Sequence, residues 1–469
     1  MSTAAMLPAA SGSDFFLKIK RYMGKKFIQI AIFLFGIQSM AQLWAEGAVD
    51  VSGILSSEAS VPFWMQANTN YRYGNFSNLA PLVEGRLGWA TSDSAEIAIG
   101  ASTYYRDDVP DEFQARELYL EFSNKWLHAV LGSQVPSQPY QGLSTTRKNF
   151  LWSGNARPIP GLLLEAQNPL RITNGFAIDW GIGHYQLSDD RYVADAMIHY
   201  KRIALLFRFA ERHQVKGQLQ HMAQWGGTSP EFGPLPNDFE AFVDVFFASR
   251  GADASIPGEA VNALGNHLGT FLLDYTYTSA QSVWNFYHEH PFEDGSGFRW
   301  SNFPDGVWGL VYQPLQSSWL DTILYEYVDT SDQSGNDSGA GFDGYFGNNV
   351  YRSGWAHEGQ VIGLPFIGYD RNLIVNDINS PVTNNRVRVH HLGVSGSVGA
   401  IQWLLKTSYN VNLGTYRQPF TPTQKNLYNY AQATYHTHSF GSFRLGVGAD
   451  VQNIGAEVFG VQAGYRYSF

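Results

Sequence analysis

The sequence predicts an all-β fold, a closed antiparallel β-barrel that crosses a membrane with its strands. Three observations carry this. First, residues 459–469 alternate strictly: Phe459, Val461, Ala463, Tyr465, Tyr467 and Phe469 fall on one side, and Gly460, Gln462, Gly464, Arg466 and Ser468 on the other. Strand side chains flip face at every step, so this segment has one apolar aromatic face and one polar face. Second, the same alternation recurs along the chain. Third, the 469 residues are 15% aromatic and only 15% charged, with 47 Gly, 31 Phe and 26 Tyr. A soluble protein carries about a quarter charged residues. A barrel uses aromatics for its lipid face and girdles, and small residues for lumen and turns.

The elements follow in order. Lys25 and Lys26 precede an apolar run from Phe27 to Ile37, then Gln38-Ser39-Met40-Ala41. A basic start, a short apolar stretch and small residues before a cleavage point make a secretory signal peptide. Cleavage is expected after Ala41, leaving Gln42 first. Met23, directly before Gly24-Lys25-Lys26, is an alternative start. The run is shorter than the roughly 20 apolar residues of a membrane helix, and no other stretch approaches that length. The chain therefore divides into an N-terminal extension with signal peptide, 1–41, and one barrel domain, 42–469. With no cysteine there is no disulfide framework or thiolate metal site. A net charge of −10 argues against a nucleic-acid partner.

Alternating strands come next. Ile97, Ile99, Ala101 and Thr103 face away from Ala98, Gly100 and Ser102; Leu118, Leu120 and Phe122 away from Tyr119 and Glu121. Phe176, Ile178, Trp180 and Ile182 oppose Asp179, Gly181 and Gly183. Ile203, Leu205, Phe207 and Phe209 interleave with Arg208, and Phe443, Leu445, Val447 and Val451 with Arg444, Gly446 and Asp450. Small and charged polar faces suit a lumen better than a sandwich core. The mature length accommodates roughly 16–20 strands, with an even number expected.

One segment breaks this rhythm. Phe239, Phe242, Val243, Phe246 and Phe247 recur at helical spacing after Asn237 and Asp238, which suit an N-cap. This predicts a helix around 237–249, inside the lumen as a plug element or at a mouth or rim. Long polar stretches, 330–347 and 352–381, read as extracellular loops.

The C-terminal Phe469 resembles the last residue of bacterial outer-membrane barrels, which their insertion machinery reads. Four ordered stretches resemble the Wzi-like capsule-assembly family of outer-membrane lectins, in particular its Bacteroidetes branch. They are Gln224-Trp225-Gly226-Gly227-Thr228-Ser229-Pro230; Tyr287-His288-Glu289-His290-Pro291-Phe292-Glu293-Asp294; Tyr325-Glu326-Tyr327-Val328-Asp329 running into Gly335; and Gly344-Tyr345-Phe346-Gly347-Asn348-Asn349 with Gly354-Trp355 and Ile362-Gly363-Leu364-Pro365-Phe366. The resemblance implies about 18 antiparallel strands, helical material closing the periplasmic end, and loops over the outer mouth. It implies polysaccharide binding at the cell surface without catalysis, and it supplies no site residue by residue.

The residues themselves leave several chemistries to weigh. His288 and His290 point the same way on a strand, about 7 Å apart. Two imidazoles with Glu293 or Asp294 suit a divalent ion, but no third ligand has diagnostic spacing. We read them as hydrogen-bonding within the loop network. The Asp-rich stretch 329–343 lacks the EF-hand pattern, so Ca²⁺ there stays open. Adjacent acids such as Asp107-Asp108 and Asp189-Asp190 sit in turn-like contexts rather than as a glycosidase pair. Aromatics in polar surroundings are the better lead, because sugars stack flat C–H faces on Trp and Tyr. Trp308 reads as a girdle residue. The candidate carbohydrate-binding set is Trp225, His288, Glu289, His290, Asp294, Trp300, Asp332, Tyr351, Trp355 and His357.

The expected protein is therefore a non-enzymatic barrel without cofactor or bound metal in the cell outer membrane. Its expected partners are outer-membrane lipid and lipopolysaccharide, capsular or other surface polysaccharide, and the insertion machinery. The strands suit a porin or solute-uptake channel equally well.

Overall fold

The structure is a computed structural model that describes residues 42–90, 95–107, 109, 111–249, 263–316, 319–335, 343–373 and 381–469. The expected signal peptide lies outside these residues. One large antiparallel sheet closes on itself. Its strands are β1 (Gln42–Ser56), β2 (Leu82–Ala90), β3 (Glu96–Tyr105), β4 (Phe113–Ser123), β5 (Leu127–Ser133) and β6 (Gly161–Ala166 continued by Leu170–Arg171). Then come β7 (Phe176–Gln186), β8 (Met197–Phe209), β9 (His213–Trp225), β10 (Asn266–Thr278), β11 (Ser282–Phe292) and β12 (Gly306–Pro314). The last six are β13 (Thr322–Asp329), β14 (Val387–Val398), β15 (Ile401–Gly414), β16 (Pro419–His436), β17 (Ser442–Gln452) and β18 (Val458–Ser468). Both pieces of β6 pair with β7, so the 19 assigned segments make an 18-stranded wall among the described residues.

The wall closes where β1 pairs with β18. Phe469 exchanges both backbone hydrogen bonds with Gly47, at 2.8 and 2.9 Å. Its ring lies over Gly47, where a Cβ would come within 2.7 Å of it. The terminal aromatic therefore needs a residue without a side chain opposite it.

The faces alternate as the sequence predicts. Phe459, Val461, Leu445, Leu118 and Phe207 are exposed outward, while Gln462, Asp50 and Ala204 are buried inward. No described helix is long and apolar enough to cross a membrane; strands do the crossing. Apolar residues on a wet surface would be costly, so this band faces lipid. The inward face carries a belt of ion pairs and hydrogen bonds. Arg86 meets Glu121 at 3.0 Å, His128 bridges Glu121 and Glu165 at 3.1 and 3.0 Å, and Arg202 joins Glu165 and Asp179 at 2.9 and 2.6 Å. Charges taken from water in this way hold partners.

The two ends differ. Connections at 124–126, 210–212, 279–281 and 399–400 are short. The five longest connections share the opposite end: L1 (57–81), L2 (134–160), L3 (226–265), L4 (293–305) and L5 (330–386). In outer-membrane barrels the long loops are extracellular.

The lumen is filled by these loops. L1 carries the short helix α1 (Phe63–Gln66) inward. Phe63 stacks on Tyr428 and Phe366 at 4.3 and 5.2 Å between centroids, and the Trp64 indole N–H donates to Ser408 at 3.0 Å. L2 and L5 meet there: Leu143, Phe150, Leu151, Trp355, Ile362 and Leu364 are all buried in one cluster.

The predicted helix exists as α2 (Phe239–Phe247), capped by the Asp238 carboxylate, which accepts from the Ala241 N–H at 2.9 Å. Its position corrects the expectation of a lumen plug. α2 packs against the outside of the barrel. Its Phe242 meets His199 and Trp225, with ring centroids 5.3 and 5.8 Å apart, and Lys201 donates to the Phe246 carbonyl. His199 and Lys201 share strand parity with the outward Ile203 and Leu205 on β8. Ala223, Trp225, Ala241, Val245 and Leu264 form a cluster separate from the lumen core. α2 lies at the end with long loops, whereas the family resemblance implied helical material at the periplasmic end. Inside the lumen, α1 is a single helical turn.

Candidate functional site

Three acidic residues on neighbouring strands hold L2 inside the barrel. Glu326 on β13 accepts from Ser144 Oγ at 2.6 Å, from the Thr145 N–H at 2.7 Å and from the Tyr287 hydroxyl. Glu289 on β11 accepts from Thr146 Oγ1 at 2.8 Å and the Phe150 N–H at 3.1 Å. Asp274 on β10 pairs with Lys148 at 2.6 Å. L5 locks onto L2: the Trp355 indole N–H donates to the Leu151 carbonyl at 2.7 Å, and the Leu364 N–H to the Phe150 carbonyl at 3.1 Å.

This geometry reassigns much of the predicted carbohydrate set. Glu289 is buried and clamps L2. Trp355 and Tyr351 are buried core residues. His357 is buried 3.4 Å from Asp189. Trp225 is buried under α2. Glu289, Tyr351, Trp355 and His357 hold loops in place, and Trp225 holds α2 against the outer wall.

His288 and His290 do point the same way, with ring centroids 5.9 Å apart, but outward. L4, with its helix α3 (Gly295–Phe298), folds over them. Trp308 stacks on His288 at 3.7 Å and Trp300 on His290 at 4.0 Å. His290 also lies 3.2 Å from the Gly297 carbonyl and 3.3 Å from that of Asp305. His290 thus bonds within the loop network, whereas His288 lies 3.3 Å from the Val307 carbonyl on β12 and its Nε2 has no partner among the described residues. Among the described residues no group of three or more His, Cys, Asp or Glu is placed to hold a metal ion. Part of the Asp-rich stretch, 336–342, lies outside them.

Asp294, Trp300 and Asp332 remain at the surface. Asp294 caps α3, accepting from Ser296 N at 2.6 Å and Gly297 N at 3.2 Å. Asp332 is exposed, and its N–H donates to Asp305 at 3.0 Å. Burial pushes the Glu293 carboxyl up to about 8. Burial and the neighbouring Asp294 push Asp343 up to about 7.

Two clefts open at the long-loop end. One, of about 710 Å³, runs between L1 and the returning part of L5. Tyr71, Tyr73, Phe76 and Tyr369 line it beside Asn75, Asn155, Gln360 and Asn372. Arg106 sits over the Tyr71 ring at 4.0 Å and fixes its tilt. Flat rings next to amide groups are what a sugar requires: a stacking surface and donors and acceptors for hydroxyls. The other, of about 900 Å³, crosses the rim beside α2 and α3 and includes Asp294, Asn266, Asn348, Asn349 and Arg417. The sequence reading missed most of these residues. The Gly347-Asn348-Asn349 motif was the available signal, but Tyr71 and Tyr369 become neighbours only through folding.

A barrel with a packed lumen and clefts at its long-loop mouth is an outer-membrane protein built to work at its surface. The profile of the capsule assembly protein Wzi family matches residues 138–372, half of the chain, and the chain belongs to that family. Comparison with curated proteins finds no match. Among solved structures, Escherichia coli Wzi, described as a carbohydrate-binding β-barrel involved in group 1 capsule assembly, is similar at TM-score 0.60 and 12% identity. That match covers 90% of this chain and 84% of the other. Pseudomonas aeruginosa OccK5 is 9% identical with TM-score 0.49, covering 92% of this chain and 98% of its own. OpdL of the same organism is 10% identical with TM-score 0.49, covering 91% and 99%.

Proposed function

We propose that this chain binds surface polysaccharide at its outer mouth and assists capsule assembly or attachment without catalysing a reaction. One observation carries the reading. The family match spans 138–372, which includes most of L2 and most of L5, loops that fill the lumen and build the mouth. The cleft between L1 and L5 supports it with the half-buried Tyr71 and Tyr369 beside the exposed Asn75 and Asn372. Outer-membrane lipid, lipopolysaccharide and the insertion machinery are the further partners of this reading. Membership of the Bacteroidetes branch rests on the ordered motifs alone.

The test is binding of the host's own surface polysaccharides to the full mature chain in nanodiscs. The intact chain retains one of them, and the double substitution Tyr71→Ala with Tyr369→Ala weakens retention about tenfold, the loss of about 1.4 kcal/mol expected from two stacking rings at roughly 0.5–1 kcal/mol each. Absence of binding to every such polysaccharide overturns the reading.

A further inference from the structure

We propose that the cleft crossing the rim between α2 and α3 takes an acylated saccharide of the outer leaflet, with its acyl part against the outer wall and its sugar among the loops. The lower half is apolar. Leu219, Phe246, Phe247, Phe292 and Phe298 line it. Leu219 lies on the outward face of β9, continuous with the lipid-facing Ile203, Leu205 and Phe207 of adjacent β8. The upper half is polar, with Asn266, Asn348, Asn349, Asp294 and Arg417. A volume of about 900 Å³ falls in the range of ligand sites.

Two observations set the occupant. α2 exposes Phe239 (79%), Val243 (37%) and Phe247 (71%) as one stripe. An amphipathic helix with such a stripe lies in a membrane interface, so the lower half opens at the level of the lipids. His221, itself buried, lines the cleft, and its Nδ1 has no hydrogen-bond partner among the described residues. A buried polar atom without a partner is costly, and a sugar hydroxyl answers it. Asn266 and Asn348 already bond to each other at 3.0 Å, so a phospholipid alone leaves the Asn349 amide unmatched, and a free polysaccharide leaves the aromatic floor uncovered. The saccharide half rests on the function proposed above; the acyl half rests on the wall geometry.

The test uses the full mature chain in detergent with three probes: rough lipopolysaccharide, the same molecule deacylated by alkali, and a phospholipid of matched chain length. Native mass spectrometry reads the affinities. Lipopolysaccharide binds at least about tenfold more tightly than either other probe, the effect of burying about two methylenes. Phe247→Ser with Phe298→Ser removes that advantage. Phe239→Ser, on the same helix but away from the cleft, keeps it. Phe247 and Phe298 are largely exposed, and heat-modifiable gel migration checks that the variants fold. Equal affinity for the deacylated probe, or for the phospholipid, overturns this inference. If capsular polysaccharide binds but lipopolysaccharide does not, this inference fails alone. If no saccharide binds in any form, both readings fail.

Discussion

At the residue scale, single buried groups hold the loops in the barrel. Trp355 is fully buried, with its indole N–H on the Leu151 carbonyl. Trp355→Ala is expected to cost about 3–5 kcal/mol, read as a lower midpoint in chemical unfolding. Glu326→Ala leaves Ser144, the Thr145 N–H and the Tyr287 hydroxyl without their acceptor, at about 1–3 kcal/mol for each buried group. Limited proteolysis should then cut within L2, while Glu326→Gln retains part of the clamp. Glu293 accepts from the Phe346 N–H at 2.8 Å, joining L4 to L5. Burial raises its folded pKa from 4.5 to about 8, and that of Asp343 from 3.8 to about 7. Groups raised in this way contribute fully below the unfolded pKa, and the contribution fades as pH climbs through the folded value. Amide exchange across 343–349, corrected for its intrinsic pH dependence, is therefore expected to be faster at pH 8.5 than at 5.5. The sequence showed the residue types but not their direction. Glu289 and His290 are neighbours in the chain, yet one faces the lumen and the other the outer wall. Strand parity gives their opposition; only the closed sheet says which side is in.

At the element scale, strands were legible and loop placement was not. A two-residue period fixes two faces, and the apolar one must meet lipid, so Phe459, Leu118 and Phe207 were assignable from the sequence. α2 was legible as a helix from its spacing and its Asp238 cap. Its side of the wall was not, because a helix with Phe on two flanks packs equally well on a lumen or on an outer surface. The deciding partners, His199 and Trp225, come from separate strands. Deletion of 239–247 is accordingly expected to leave the lumen closed, whereas deletion of 139–155 opens it. Ion flux through liposomes carrying each variant reads the difference.

At the scale of the whole molecule, the barrel is a frame and its work is done at one end. The closed wall, sealed by Phe469 over Gly47, satisfies its own backbone groups as a lipid environment demands. Its interior is packed by L1, L2 and L5 around Phe63, Phe150 and Trp355, which leaves the mouth and the rim as the places for a ligand. The composition anticipated the frame: few charges, many aromatics, many glycines. It did not anticipate the clefts, since Tyr71 and Tyr369 are nearly three hundred residues apart. The most direct measurement is planar-bilayer conductance of the refolded mature chain. The intact barrel is expected to be nearly silent. Steady conductance from the intact chain would mean an open pore, and it would contradict a protein that acts at its surface rather than through its lumen.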